Sequence, residues 1–194
     1  MTSLAPRLAP LAPPYDPELQ ALLTKMTPPA APQILALFRV LARHPVLAER
    51  STGWGGFLLG RKAQLPLRDR ELVICRVCAR CGAEYEWGVH VSAFAQAAGF
   101  TPAQVAAVAD PQAGDSALTD RDRLLVQMAD ELHDTSDVSD ALWAQLKAVW
   151  NEQQLLELLM LAGWYHAISY VCNVARVPIE PWSARWRRGG KVAA

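Results

Sequence analysis

The residues best equipped for chemistry lie close together, between Glu71 and His90. The segment Glu84-Tyr85-Glu86-Trp87-Gly88-Val89-His90 carries a carboxylate four residues before an imidazole. On a helix those side chains sit about 40° apart and can hydrogen-bond. Such a contact orients the ring and raises its basicity, which prepares it for acid–base work near neutral pH. Ala93 and Ala97 continue the same side and leave space beside the pair. The same spacing also serves plain surface stabilisation, so both readings stand at this point. Glu71 falls in angle between Cys75 and Cys78, so its carboxylate faces an apolar side. A first-turn acid answers the helix dipole; a carboxylate in a partly apolar pocket is suited to proton transfer.

The cysteines offer a second chemistry. Cys75, Cys78 and Cys81 form two overlapping C-x-x-C units, and Cys172 stands far away. A redox pair works best with its attacking thiol at a helix N-terminus, where the dipole stabilises the thiolate. These cysteines fall one to three turns inside their helix. A zinc site needs further ligands, and no second cluster with ligand spacing follows. Ile74, Val77, Cys78 and Cys81 share one helical arc, with Cys75 at its edge and Arg76 and Arg80 pointing away. The trio therefore reads as core, where free cysteine behaves as a small hydrophobe, and no metal is expected.

The elements that must position these groups are helices. Residues 1–33 are rich in proline and alanine, with a short helix expected over Asp16–Met26 behind the Asp16-Pro17 start. Apolar spacing then predicts helices over Gln33–Arg43, from His44-Pro45 to about Leu59, over Leu67–Cys81, and from Ala83 to Ala98 before Gly99. Thr101-Pro102-Ala103-Gln104 is a strong helix start, and Thr119 with Asp122 opens another helix to about His133. Ser139 caps Asp140–Val149, and Asn151 with Gln154 opens a long final helix to about Ala175. The chain reads as all-α. It divides into an N-terminal segment (1–33), a helical domain (34–177) and a C-terminal tail (178–194), whose Arg185, Arg187, Arg188 and Lys191 read as a solvated basic end.

Composition bounds the function. Nineteen basic and nineteen acidic residues give zero formal net charge, against the basic surplus of a nucleic-acid binder. Prolines interrupt the start where a signal peptide needs an apolar helix. No stretch reaches about 18 uncharged apolar residues, and Leu155–Ala175 suits a buried helix better than a span. A cytoplasmic chain acting on a small molecule is the expectation.

Residues of about 34–175 resemble the carboxymuconolactone decarboxylase-like superfamily, which includes the alkylhydroperoxidase D proteins. The peroxidase branch carries Glu, eleven residues, Cys-x-x-Cys, three residues, His. Counted from Glu71, this sequence places Ala83 and Glu86 at the cysteine positions and His90 at the histidine position. Both redox cysteines are thus replaced, while the glutamate and histidine match. Leu65-Pro66-Leu67-Arg68-Asp69-Arg70-Glu71-Leu72, the Glu84–His90 segment, Gly163-Trp164-Tyr165-His166 and Asn173 look like the longer decarboxylase-like subfamily.

The resemblance implies an alkylhydroperoxidase D-like helical bundle, assembled as a homo-oligomer (trimer or hexamer) with its site near a subunit interface. The residues suggest acid–base chemistry without a cofactor, and the resemblance implies a decarboxylation or related lyase or isomerase step on a small carboxylated lactone or similar acid. In that reading His90 transfers the proton, Glu86 orients it and Glu71 completes the relay. Arg70, Arg76 and Arg80 are candidates to bind substrate carboxylates, and Trp87 and His166 to line the pocket. His133, late in its helix, answers the helix dipole. Two alternatives follow: a thiol-dependent peroxidase using Cys75, Cys78 or Cys81, and a non-catalytic oligomer that binds a small ligand.

Overall fold

The structure is a computed structural model that describes residues 5–28, 31–110 and 117–186. Within them the secondary structure is helical: α1 (Pro17–Met26), α2 (Ala36–Leu41), α3 (Pro45–Leu58), α4 (Leu67–Arg80), α5 (Glu84–Phe94), α6 (Pro102–Ala109), α7 (Asp120–Thr135), α8 (Asp140–Val149) and α9 (Glu152–Ala175). Local chemistry explains most of the starts. Thr101, Thr119 and Asn151 each form a reciprocal capping box, with Gln104, Asp122 and Gln154 respectively. The Asp16 carboxylate accepts from the Leu19 amide at 2.8 Å, with Pro17 at the first helical position.

Helix α4 is the hub. It packs against α5, α6, α7 and α9, and every residue from Glu71 to Ala79 is buried. Gly82, at φ 63°, turns the chain out of α4 and into α5 at a conformation that side chains disfavour. A large core gathers around α4, and a smaller one joins Leu37, Val40, Tyr85, Val89, Ile168 and Cys172 of α2, α5 and α9. Helix α9 is long and apolar enough to cross a membrane by length and composition. Here it packs against α4, α5, α3 and α8, with half of its most apolar window buried in the fold.

Three sequence expectations are corrected. Helix α5 ends at Phe94 and not at Ala98, the chain passing through turns to Gly99 at φ 73°. Helix α2 starts at Ala36, because its first amide is satisfied from far along the chain: the Glu180 carboxylate accepts from the Ala36 amide at 2.6 Å. That same carboxylate takes the Tyr85 hydroxyl at 2.7 Å and the Gln33 side-chain amide at 2.8 Å. The start of the expected tail is therefore part of the fold. Glu180 and Ser183 are buried, Trp186 lies 5.8 Å from Trp87, and Arg185 pairs with Glu84. Arg187, Arg188 and Lys191 lie outside the described residues. Gly88 owes its identity to this segment, since a Cβ there would meet the Ala184 carbonyl oxygen at 2.3 Å.

Glu180→Ala is expected to cost about 2–4 kcal/mol, since it strands buried donors on α2 and α5 together. Thermal unfolding of the variant reads that loss. An unshifted midpoint would mean that the C-terminal segment does not clamp the two helices.

Candidate functional site

Glu71 in the second turn of α4 and His90 in α5 face each other across the α4–α5 angle. The Glu71 Oε2 atom lies 2.7 Å from His90 Nδ1, with both side chains buried. An ionised carboxylate only accepts, so Nδ1 carries the proton of this bond. That leaves Nε2 as the working nitrogen. It lies 3.0 Å from the Tyr165 hydroxyl of α9 and 3.5 Å from Glu86 Oε1. Arg70 reaches Glu71 Oε1 at 3.3 Å and the Leu59 carbonyl at 3.0 Å, tying the carboxylate to the end of α3.

Burial alone would push the His90 pKa down. The charge and hydrogen bond of Glu71, helped by Glu86, outweigh it and raise the imidazole to about 9. At neutral pH His90 is thus a buried imidazolium. Burial and the neighbouring Glu86 and Glu71 charges push Tyr165 well above the ordinary range, so it stays a neutral phenol.

This group borders a cavity of about 440 Å³. Its walls are mainly apolar: Leu35, Leu37, Phe38, Leu41, Val89, Phe94, Trp164 and Ile168. His90, Tyr165 and Glu86 supply one polar wall, and Ser51, Thr52, Thr27 and Lys25 supply another. Gly55 lets Trp164 into this wall, for a Cβ there would stand 3.0 Å from the indole. Few polar groups converging in an apolar concavity is the usual form of a small-molecule site.

The structure brings together Glu71, Glu86 and His90 and scatters the other candidates. Arg76 is buried and spent on structure: its Nε and Nη2 each donate to Asp130 at 2.7 Å, and Nη1 donates to the Val108 carbonyl. Arg80 pairs with Asp130 and Asp134. Both point at α7, on the side of α4 away from His90. Arg70 touches Glu71 but does not line the cavity, and Trp87 is buried against Trp186. His166 turns from the cavity to face His133, with Nε2 3.0 Å from that ring's Nδ1. Its neighbours Trp164 and Tyr165 line the cavity instead. Tyr165, Lys25, Ser51 and Thr52 were not singled out from sequence. The only available signal was Tyr165's place beside His166 in the Gly163–His166 motif.

The thiols are free and stand away from the cavity. Burial pushes Cys75 and Cys78 well above the usual thiol range, with Glu71 and Glu86 respectively adding to the rise. Burial and the Glu86 charge do the same to Cys172. Cys81 is half-exposed; burial raises it, while Ser169 and Arg80 oppose the rise. Alkylation of the native protein is expected to label Cys81 alone, the other three reacting only on unfolding. Rapid labelling of Cys75 or Cys78 in the folded chain, read by mass spectrometry, would overturn this placement.

Residues 45–119 match the model of the carboxymuconolactone decarboxylase family. That stretch holds the Glu71–His90 pair, and the solved structures extend the likeness in fold over most of the chain. The fold is that of the alkylhydroperoxidase D-like helical proteins, and over residues 45–119 the sequence is similar to the carboxymuconolactone decarboxylase family. An uncharacterised peroxidase-related protein from Silicibacter sp. TM1040 is 16% identical at a TM-score of 0.73, covering 93% of this chain and 95% of its own. The alkylhydroperoxidase AhpD core protein from Ralstonia eutropha JMP134, also described as peroxidase-related, is 14% identical at a TM-score of 0.75, covering 90% and 93%. A variant of the debrominase Bmp8 in complex with 2,3,4-tribromopyrrole is 15% identical at a TM-score of 0.72, covering 92% and 94%. No curated protein matches the sequence significantly. Ala83, which the motif register sets against the first redox cysteine, is fully buried, and Glu86, set against the second, faces His90.

Proposed function

We propose that this protein is an acid–base enzyme of the superfamily that removes carbon dioxide from a small unsaturated lactone acid, or moves a proton on a closely related acid. The observation that carries this reading is the buried Glu71–His90 bond of 2.7 Å, with the other imidazole nitrogen beside Tyr165 and Glu86, which line a mainly apolar cavity. A carboxylate at the place of a redox cysteine, and thiols held neutral by burial, favour it over peroxidase chemistry.

In the proposed reaction the substrate's ring lies along the Phe38, Phe94 and Trp164 wall. Its carboxylate points to Lys25 and the Ser51 hydroxyl. The bond between the ring carbon and the carboxylate breaks, carbon dioxide leaves, and the electron pair passes into the conjugated lactone carbonyl. The His90 imidazolium then gives its Nε2 proton to the carbon and is reprotonated from solvent. Tyr165 and Glu86 hold that nitrogen's direction before transfer, and Glu71 stabilises the imidazolium throughout. The apolar walls limit competition by water at the carbanion-like centre.

Incubation with a panel of carboxylated unsaturated lactones in deuterium oxide tests the reaction. The expected result is release of carbon dioxide with one deuterium on the product carbon. Saturable binding without turnover or deuterium exchange across the panel would make the protein a ligand binder instead. Within the active series, Lys25→Ala is expected to raise KM several-fold with kcat little changed, because Lys25 sits at the solvent-exposed rim. An unaltered KM for carboxylated substrates would remove Lys25 from recognition.

A further inference from the structure

Cys81, His133 and His166 meet where α4, α7 and α9 come together, apart from the His90 group. Cys81 caps the C-terminal end of α4, His133 lies in the last turn of α7, and His166 lies midway along α9. The chain leaves α4 through Gly82, and the Asn173 side chain donates to the Cys81 carbonyl at 2.8 Å, which fixes the turn. The Cys81 sulfur lies 3.9 Å from His133 Nδ1, and that nitrogen lies 3.0 Å from His166 Nε2. The two imidazole planes lie 20° apart with their centroids 5.0 Å from each other, and the facing nitrogens share one N–H···N bond. All three donor atoms fall within 4.8 Å of one another.

We propose that these three side chains bind a divalent transition-metal ion of the zinc class through Cys81 Sγ, His133 Nδ1 and His166 Nε2. Metal–nitrogen bonds of about 2.0–2.1 Å and metal–sulfur bonds of about 2.3 Å, set tetrahedrally, put neighbouring donor atoms roughly 3.3–3.6 Å apart. The observed separations bracket that spacing, and the entering ion replaces the proton shared between the two imidazoles. One thiolate and two neutral imidazoles suit zinc or cobalt, whereas magnesium and calcium need oxygen donors. The Cys81 proton leaves on binding, so affinity rises with pH through the thiol's titration. Each of the three residues is partly exposed, which leaves the fourth tetrahedral position to water or a small anion. The site uses none of the groups around His90, and its occupancy is testable whatever reaction the cavity performs.

The experiment is a titration of reduced, metal-stripped full-length protein with Zn2+ against a chromophoric chelator, and with Co2+ by absorption spectroscopy. The expected result is one ion per chain at micromolar affinity or tighter. Cobalt should give a thiolate charge-transfer band and the intense visible bands of tetrahedral geometry. Cys81→Ser should abolish the charge-transfer band, and His133→Gln and His166→Gln should each weaken binding at least about tenfold. Cys75→Ser should leave binding intact. Zinc should also shield Cys81 from alkylation in the unmodified sequence, a readout that needs no variant. No binding by the native chain, unprotected Cys81 at saturating zinc, or unchanged affinity in correctly helical Cys81→Ser protein would each overturn the proposal.

Discussion

Replacing His90 with glutamine is expected to lower kcat by a factor on the order of 10²–10⁴, the usual worth of a positioned proton donor. KM should change little. The reasoning rests on which nitrogen does what. Glu71 engages Nδ1 at 2.7 Å, so transfer to substrate can only occur through Nε2, and the cavity opens on that side. Glutamine can still donate an amide hydrogen bond to Glu71, so the buried carboxylate keeps a partner. Its amide cannot give up a proton near neutral pH. Tyr165 is held as a phenol by burial and the neighbouring carboxylates. Steady-state kinetics on a substrate identified from the lactone panel provide the measurement, with circular dichroism confirming the helical fold. Turnover within a few-fold of the unmodified protein would take His90 out of the mechanism and leave the cavity as a binding pocket.

Why this site was only half legible in the sequence follows from where its contacts run. Helix starts are local events, so Thr101 with Gln104, Thr119 with Asp122, and Asn151 with Gln154 declared themselves by type and spacing. The contact between Glu86 and His90 is also local, and its i,i+4 geometry suggested that Glu86 orients the ring. The structure gives the shorter bond to Glu71, 2.7 Å against 3.5 Å, because α4 and α5 pack so that the long-range carboxylate meets Nδ1. Periodicity within one helix carries no information on such a crossing. Tyr165 and His166 show the same limit. Helix α9 has neighbours on several sides, so its phase does not say which face meets the cavity. The terminal segments escaped for another reason. Lys25–Pro28 join the cavity wall and Glu180 caps α2, and both act through long-range contacts with no repeating pattern. Residue count likewise offered the cysteines as the chemical resource, but Cys75 and Cys78 are core. Cys81 acquires partners only through the packing of α4 against α7 and α9.

The second large effect is expected from Glu71→Gln, and it is a change of pH profile before it is a loss of rate. In the unmodified protein the His90 pKa of about 9 lies above the value of about 6.5 for an unfolded histidine. Two consequences have defined signs. Activity that depends on the imidazolium holds through neutral pH and falls as pH rises through about 9. The stability contributed by the ion pair is fully present below about pH 6.5 and is lost as pH rises through about 9. Glutamine keeps an oxygen that can accept from Nδ1 but removes the charge, the largest influence holding His90 up. Burial, which acts in the opposite direction, then dominates, and the alkaline limb of the rate profile should move down by about two units or more. At pH 8 that shift alone leaves only a small fraction of the protein with a protonated ring, so kcat should fall by a factor on the order of ten to a hundred. Much of it should return at pH 5 to 6. A merely structural glutamate would lower activity equally at every pH, so kcat profiles for both proteins, paired with thermal unfolding at low and high pH, separate the two roles. An unmoved alkaline limb in the folded variant would show that Glu71 does not set the protonation of His90.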